Sequence, residues 1–382
     1  MTPLLPTGFR DHLPPHADQA AAVEARVLAA ARLHGYERVD APLAEYADAL
    51  AARLKTGALR EAVRFVDPVS QATLAIRPDL TAQIARIAAT RMGHHPRPVR
   101  LCYAGTVLRL KGEELDPARE RRQIGCELIG VDSVAAAREI VGVAVDALEV
   151  AGVGGLSIDF TLPDLVETLA AVRPVADLAA LRDRLDAKDA GAVAALAPAY
   201  LPLIEAAGSF DEALARLRDL DVGGVLASRL DGVAAVAAAV AGRARVTLDP
   251  TERHGFEYQS WMGFSLFVEG ARGEVGRGGT YTLLHENGAE EAATGFSLYA
   301  DRLPVAPDAD ARRRLFVPLG TPREASAAMR AGGWVTVTAL DAGDSPEAQL
   351  CTHVWREGAA EVVQTTLPAK PLKDVWRTPE RL

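Results

Sequence analysis

Residues 119–130 read RERRQIGCELIG and set Gln123 and Glu127 four positions apart across an apolar run. An extended chain points successive side chains to opposite faces. Gln123, Gly125 and Glu127 therefore share one side, and Ile124, Cys126 and Leu128 the other. One face is core. The opposite face offers an amide, a gap and a carboxylate, which is how a polar ligand pocket is built. Taken alone, the same residues also fit an edge strand with one solvated face.

Other candidates are equally two-sided by themselves. Asp79, in IRPDLTAQ, follows Pro78 and can cap the next helix, worth about 1 kcal/mol. Arg119, Arg121 and Arg122 form either a solvated loop or a surface that meets phosphates. GEVGRGGTY matches neither the dinucleotide fingerprint nor a Walker loop and has strands on both sides. It reads as a bend where backbones approach closely. No Ser/His/Asp set assembles by spacing, and the histidines and cysteines indicate no metal site.

The elements that must position these residues follow from period and punctuation. After Pro14 and Pro15, Val23, Val27, Ala30 and Ala31 mark an amphipathic helix ending at Gly35. YERVDAPLAE reads as a strand broken at Pro42. FVDPVSQATLAI predicts a hairpin turning at Asp67-Pro68, and Pro78 then gives way to a helix carrying Ile84 and Ile87. PVRLCYAGTVLRL and RQIGCELIG predict a long antiparallel hairpin with a charged, mobile loop between them. Residues 133–150 read as helix, GLSIDF as strand, and 162–241 as an inserted helical unit. RVTLD, EYQSWMGFSLFVEG and RGEVGRGGTYTLL return to strand, and TGFSLYADRL reads as a helix. From Arg312 the pattern alternates strand, helix and strand. The expected organisation is a domain over 1–311, containing the insertion at 162–241, and a small α/β module over 312–382.

Composition narrows the class. The chain has 382 residues, 49% hydrophobic and 24% charged, which excludes a disordered protein. Its net charge of −9 argues against binding through the phosphate backbone of nucleic acid. Cys102, Cys126 and Cys351 are too few and too scattered for a disulfide framework, which fits a reducing compartment. The N-terminal stretch lacks a signal pattern, and the alanine/valine run between Asp231 and Arg243 is too short for a bilayer. A cytoplasmic protein without a membrane association is expected.

The order of these segments resembles histidyl-tRNA synthetase, a class II aminoacyl-tRNA synthetase, from about residue 8 to 303. HGYERVDAPLAE looks like class II motif 1, IRPDLTAQ like the family's R-P-E-G-T segment, and RLCYAGTVLR with ARERRQIGCELIG like motif 2. RHGFEYQ and GRGGTY resemble the two histidine-specific stretches, and GFSLYADR resembles motif 3. The resemblance implies an α+β fold: an antiparallel sheet flanked by helices, with a helical insertion and a small C-terminal α/β module. It also implies a histidine pocket. Asp79 and Thr81 stand where the family holds the α-amino group, and Gln123 faces that group. Glu127 and Tyr281 stand where it grips the imidazole, and Arg109 matches the motif 2 arginine near the carboxylate and α-phosphate. Gln259 replaces a second imidazole-facing tyrosine.

The positions that would handle ATP depart from the pattern. Lys111 replaces a motif 2 glutamate, Arg121 the adenine-stacking phenylalanine, and His254 an arginine acting during adenylate formation. Thr282 replaces an aspartate, and Tyr299 a motif 3 glycine. A histidine pocket without the catalytic set is similar to the regulatory subunits of short-form ATP phosphoribosyltransferase, which RPDLTAQIAR resembles more closely than it does the synthetase. That likeness implies a hetero-oligomer with a short catalytic subunit, feedback inhibition by L-histidine in histidine biosynthesis, and a self-dimer through the motif 1 region. It implies no catalytic residue, no cofactor and no metal of its own. A divergent synthetase, and a histidine-binding module serving another partner such as a kinase or transcription factor, are the competing readings.

Overall fold

The computed structural model describes residues 4–51, 62–112, 116–253, 259–304 and 313–363. Helix α1 (His16–Leu33) buries Val23, Val27, Ala30 and Ala31, and the chain leaves it through Gly35 at φ +83°. Strand β1 (Glu37–Arg38) precedes β2 (Ala44–Tyr46), with Pro42 between them as the sequence predicts. After α2 (Ala47–Ala51), β3 (Val63–Val66) and β4 (Thr73–Ile76) form a hairpin, and β2-β4-β3 make a three-stranded sheet. Its turn is held by the Asp67 carboxylate, which accepts the Val69 and Ser70 N–H groups at 3.2 and 3.0 Å. Helix α3 (Thr81–Thr90) starts one residue beyond Leu80, and Asp79 serves its first turn by accepting the Thr81 N–H at 2.7 Å.

The scaffold of the candidate site comes next. β5 (Val99–Leu108) and β6 (Glu120–Ile129) pair antiparallel along their whole lengths, from Val99↔Ile129 to Leu108↔Glu120. Helix α4 (Val134–Val150) starts at Ser133, whose side chain accepts the Ala136 N–H. After β7 (Ser157–Thr161) the insertion is helical: α5 (Leu165–Val172), α6 (Leu178–Asp186), α7 (Ala190–Leu196), α8 (Pro202–Glu205), α9 (Phe210–Leu220) and α10 (Ala227–Ala238). One short strand, β8 (Gly208–Ser209), interrupts it. Leu181, Leu217, Leu230 and Val233 of these helices are buried in the same apolar cluster as Ile140 of α4 and Phe160 of β7. The insertion therefore shares the core of the sheet.

Strands β9 (Arg245–Leu248), β10 (Gln259–Phe267), β11 (Gly276–Leu284) and β12 (Glu290–Tyr299) complete a nine-stranded sheet in the order β1-β5-β6-β12-β11-β10-β7-β9-β8. One sequence expectation fails here and a second holds in part. TGFSLYADRL is no helix: β12 runs to Tyr299, paired with β6 on one side and β11 on the other, and only Ala300–Arg302 turns as a 3-10 segment. Two-sided pairing in the sheet overrides the local spacing that suggested a helix. In GEVGRGGTY the bend is confined to Gly273, at φ +81° ahead of the strand, while Gly276, Gly278 and Gly279 lie inside β11. A Cβ at Gly278 would collide with the Gly295 backbone oxygen and the Phe264 ring, and one at Gly279 with the Gln259 amide and the Met262 backbone oxygen, so the glycines admit both close backbone and neighbouring side chains.

Both sheet faces are buried. One carries Cys102, Ile124, Cys126, Leu128, Phe264 and Phe296 against α1 and α4; the other carries Leu101, Tyr103, Ile129 and Tyr281 against α3. β6 is thus an interior strand, and the edge-strand alternative for RQIGCELIG is excluded. Two compact units make up the described chain, a large one that includes 20–304 and a small one that includes 313–363. The small one holds β13 (Arg314–Val317), α11 (Arg323–Ala331), β14 (Val335–Thr338), β15 (His353–Arg356) and β16 (Ala359–Val362), in the sheet order β14-β13-β15-β16.

Candidate functional site

Register places the polar residues in rows across the sheet. Leu101, Glu127, Gly295 and Gly279 form one row; Tyr103, Gly125, Ser297 and Arg277 form the next; Gly105, Gln123 and Tyr299 form a third. Glycines alternate with long polar side chains, and the space they leave is used. A Cβ at Gly125 would collide with the Tyr103 hydroxyl, and one at Gly295 with the Glu127 carboxylate. Arg77, itself buried, lies over Gly105 and donates to the backbone oxygens of Thr106 (2.7 Å) and Ala41 (2.8 Å). It thereby ties the segment ahead of α3 to the sheet.

The side chains meet in one hydrogen-bond network. Glu127 is 1% exposed; its Oε1 accepts from the Tyr103 hydroxyl at 2.9 Å and its Oε2 from the Tyr281 hydroxyl at 2.6 Å. Burial pushes its carboxyl up to about 8, against the lowering effect of the two tyrosine bonds, and the nearby Asp79 charge adds to the rise. Gln123 accepts the Leu80 N–H at 3.0 Å and donates from Nε2 to Asp79 Oδ2 and to Ser297 Oγ, both at 2.7 Å. Thr81 Oγ1 stands 3.4 Å from the Tyr103 hydroxyl, which lies 3.0 Å from Ser297 Oγ. Asp79, Thr81, Gln123, Glu127 and Tyr281, proposed from sequence, are therefore together.

Arg109 stands outside this network. Its guanidinium donates to the Tyr299 hydroxyl at 3.4 Å, and Tyr299 is the register partner of Gln123. Tyr103 and Ser297 were missed by sequence reasoning. Both flank Gly125 in register, a signal that exists only once the strand pairing is known. The network has a carboxylate at each end, Asp79 at the start of α3 and Glu127 on β6. A carboxylate accepting a ligand N–H is worth about 1.5–3 kcal/mol net, so two of them can hold a ligand that carries two nitrogen groups.

Comparison with known proteins decides the family. The histidyl-tRNA synthetase family profile matches residues 8–303. A curated relative from Rhodospirillum centenum, an ATP phosphoribosyltransferase regulatory subunit, is 40% identical over 375 residues, covering 94% of this chain and 96% of its own. The protein of the same description from Paramagnetospirillum magneticum is 41% identical over 374 residues, covering 94% and 98%. The chain belongs to the ATP phosphoribosyltransferase regulatory subunit family. A Bacillus halodurans structure described as an ATP phosphoribosyltransferase regulatory subunit/histidyl-tRNA synthetase superposes with TM-score 0.75 at 22% identity, covering 91% of this chain and 96% of that one. Histidyl-tRNA synthetase from Nostoc superposes with TM-score 0.73 at 15% identity, covering 92% and 90%. These structural likenesses establish the class II synthetase-like fold.

In this regulatory-subunit family member, the arginines around the would-be nucleotide side of the site are paired within the chain itself. Arg121 is 7% exposed and pairs with Asp116 and with Asp301, the latter at 2.8 Å. Arg302 pairs with Asp116 at 2.5 Å, donates to the Glu274 backbone oxygen at 2.6 Å, and lies over the Tyr299 ring. Arg122 forms a two-bond pair with Glu24, and Arg119 stacks on Phe9. The arginine cluster is neither a solvated loop nor an array pointing outward: its charges meet carboxylates and a ring of the same chain. Lys111 is exposed, while His254 lies outside the described residues. Gln259 donates to the Gly278 backbone oxygen at 2.9 Å. Among the described residues, no group of three or more His, Cys, Asp or Glu side chains could hold a metal ion. No helix among them is long and apolar enough to cross a membrane.

Proposed function

We propose that this chain is the non-catalytic subunit of a short-form ATP phosphoribosyltransferase, activating its catalytic partner and carrying histidine feedback in the first step of histidine biosynthesis. L-Histidine is the effector. Its ammonium group meets Asp79, with Thr81 and Gln123 beside it; its ring meets Glu127 and Tyr281; its carboxylate turns toward Arg109. The observation that carries this reading is the buried network with one carboxylate at each end, Asp79 on Gln123 and Glu127 between two tyrosine hydroxyls. Feedback then requires histidine to bind one state of the complex more tightly than the other, by about 1–3 kcal/mol in systems of this kind.

The chain forms no adenylate in this reading, because Arg121, paired with Asp301, stands in place of the adenine-stacking phenylalanine, His254 stands in place of an arginine, and Arg302 is engaged by Asp116. It acts in the cytoplasm, dimerises through the motif 1 region and binds no nucleic acid, which fits the net charge of −9. The test is reconstitution with a short catalytic subunit: phosphoribosyl-ATP formation is followed with and without this chain across a histidine titration. The rate rises on adding the chain and falls with histidine. A rate indifferent to both refutes the assignment.

A further inference from the structure

The Gln259 amide is the unexplained polar group of the site. It is 9% exposed, and while its Nε2 donates to Gly278 O at 2.9 Å, its Oε1 is buried without a hydrogen-bond partner. A buried acceptor left unpaired costs free energy. That oxygen occupies the space a Cβ on Gly279 would fill, as the Glu127 carboxylate occupies the space over Gly295. Gly279 and Gly295 are direct register partners, so the two acceptors lie side by side on one face of the sheet, above positions whose Cβ atoms would be about 5 Å apart. Gln259 also pairs across the ladder with Tyr281, the tyrosine that holds Glu127.

We infer that Gln259 Oε1 accepts the ring N–H that Glu127 does not, so that the pocket takes histidine in its imidazolium form. This rests on the histidine reading above. An amide oxygen only accepts, and a neutral imidazole has a single N–H; two acceptors therefore select the ring that carries two. The groups that face the Glu127 carboxyl are Tyr103 from β5, Tyr281 from β11, and Thr81 and Asp79 at the start of α3, while the neighbouring Cys126 thiol points to the opposite face of the sheet. These are hydroxyls and a second carboxylate, so a cationic ring supplies the compensating charge. The proton balance closes inside the complex. Near neutral pH the buried Glu127 carboxyl holds a proton, neutral histidine enters, and that proton passes to the unprotonated ring nitrogen, leaving carboxylate and imidazolium.

The test uses the full chain and ring-¹⁵N histidine. In the wild-type complex both ring nitrogens are expected to be protonated at pH 7.5, where free histidine is mostly neutral. Gln259→Met, which keeps the length and removes the acceptor, is expected to weaken histidine binding by roughly 10- to 100-fold. An unprotonated ring nitrogen in the wild-type complex overturns the inference, and that measurement needs no variant to fold. A Met variant that binds within about twofold of wild type overturns it as well. In both outcomes histidine still binds, which separates them from failure of the histidine reading, where the wild-type chain binds none.

Discussion

The Tyr281 hydroxyl donates to Glu127 Oε2 at 2.6 Å, joining residues 154 positions apart in the chain. With Tyr103 on the other oxygen, the carboxyl is fully buried yet held only by hydroxyls, in a pocket floored by glycine. Such a group is poised to accept from a ligand. Glu127→Gln is therefore expected to weaken histidine binding by about 1.5–3 kcal/mol while the folded chain survives, because an amide of the same shape still meets both tyrosines. Calorimetric titration of both proteins, beside their thermal unfolding, separates lost binding from lost structure.

The same carboxyl makes stability depend on pH. Its folded value is raised from 4.5 to about 8, so between those values the folded chain holds a proton that the unfolded chain has released. The contribution to stability is complete below the unfolded value and is lost as pH rises through the folded one, by about 1.4 kcal/mol per pH unit at most. Denaturant unfolding of the ligand-free chain at pH 5, 6.5 and 8 should show wild type losing stability relative to Glu127→Gln across this range. Parallel profiles for the two proteins would contradict an uncompensated burial.

These properties were partly legible in the sequence. The alternation in RQIGCELIG fixed which side chains share a face, because strand period is local information. Asp79 was visible for the same reason, since Pro78 and the following helix sit beside it. Tyr103 and Ser297 were not, because they reach the site only through pairing with Gly125 from strands far apart in the chain. TGFSLYADRL misled because its spacing also fits a helix, and only pairing with β6 and β11 decides otherwise. GRGGTY was legible as a place of close backbone approach, and the backbone oxygens of Ser297, Gly295 and Met262 do come close to Gly276, Gly278 and Gly279; the Gln259 amide and the Phe264 ring, which also lie against these glycines, were not legible.

Glycine positions give a contrast that tests the pocket's shape. A Cβ at Gly295 would collide with the Glu127 carboxylate and stand 2.7 Å from the Cys126 backbone oxygen, neither of which has room to yield. Gly295→Ala is expected to cost about 1–3 kcal/mol of stability and to abolish histidine binding. Gly142, inside α4, has nothing within 4 Å of its Cβ position, so Gly142→Ala is expected to stabilise by about 0.5–1 kcal/mol and leave binding unchanged. Chemical denaturation of the two variants checks both signs.

The last prediction concerns chemistry the chain should lack. Amino-acid activation needs cations free to meet charge developing on a phosphate, and each such donor lost costs about 10²–10³ in rate. Here Arg121 is held by Asp116 and Asp301, Arg302 by Asp116 and the Tyr299 ring, and the Tyr299 hydroxyl takes a bond from Arg109. Histidine-dependent exchange between ATP and pyrophosphate is therefore expected at background in concentrated wild-type protein. Tyr299→Gly, which removes the ring from Arg302, is expected to stay at background too, because both carboxylates remain on Arg121. Exchange above background in the wild-type chain would return the divergent-synthetase reading; exchange in Tyr299→Gly alone would make that ring, rather than the ion pairs, the block.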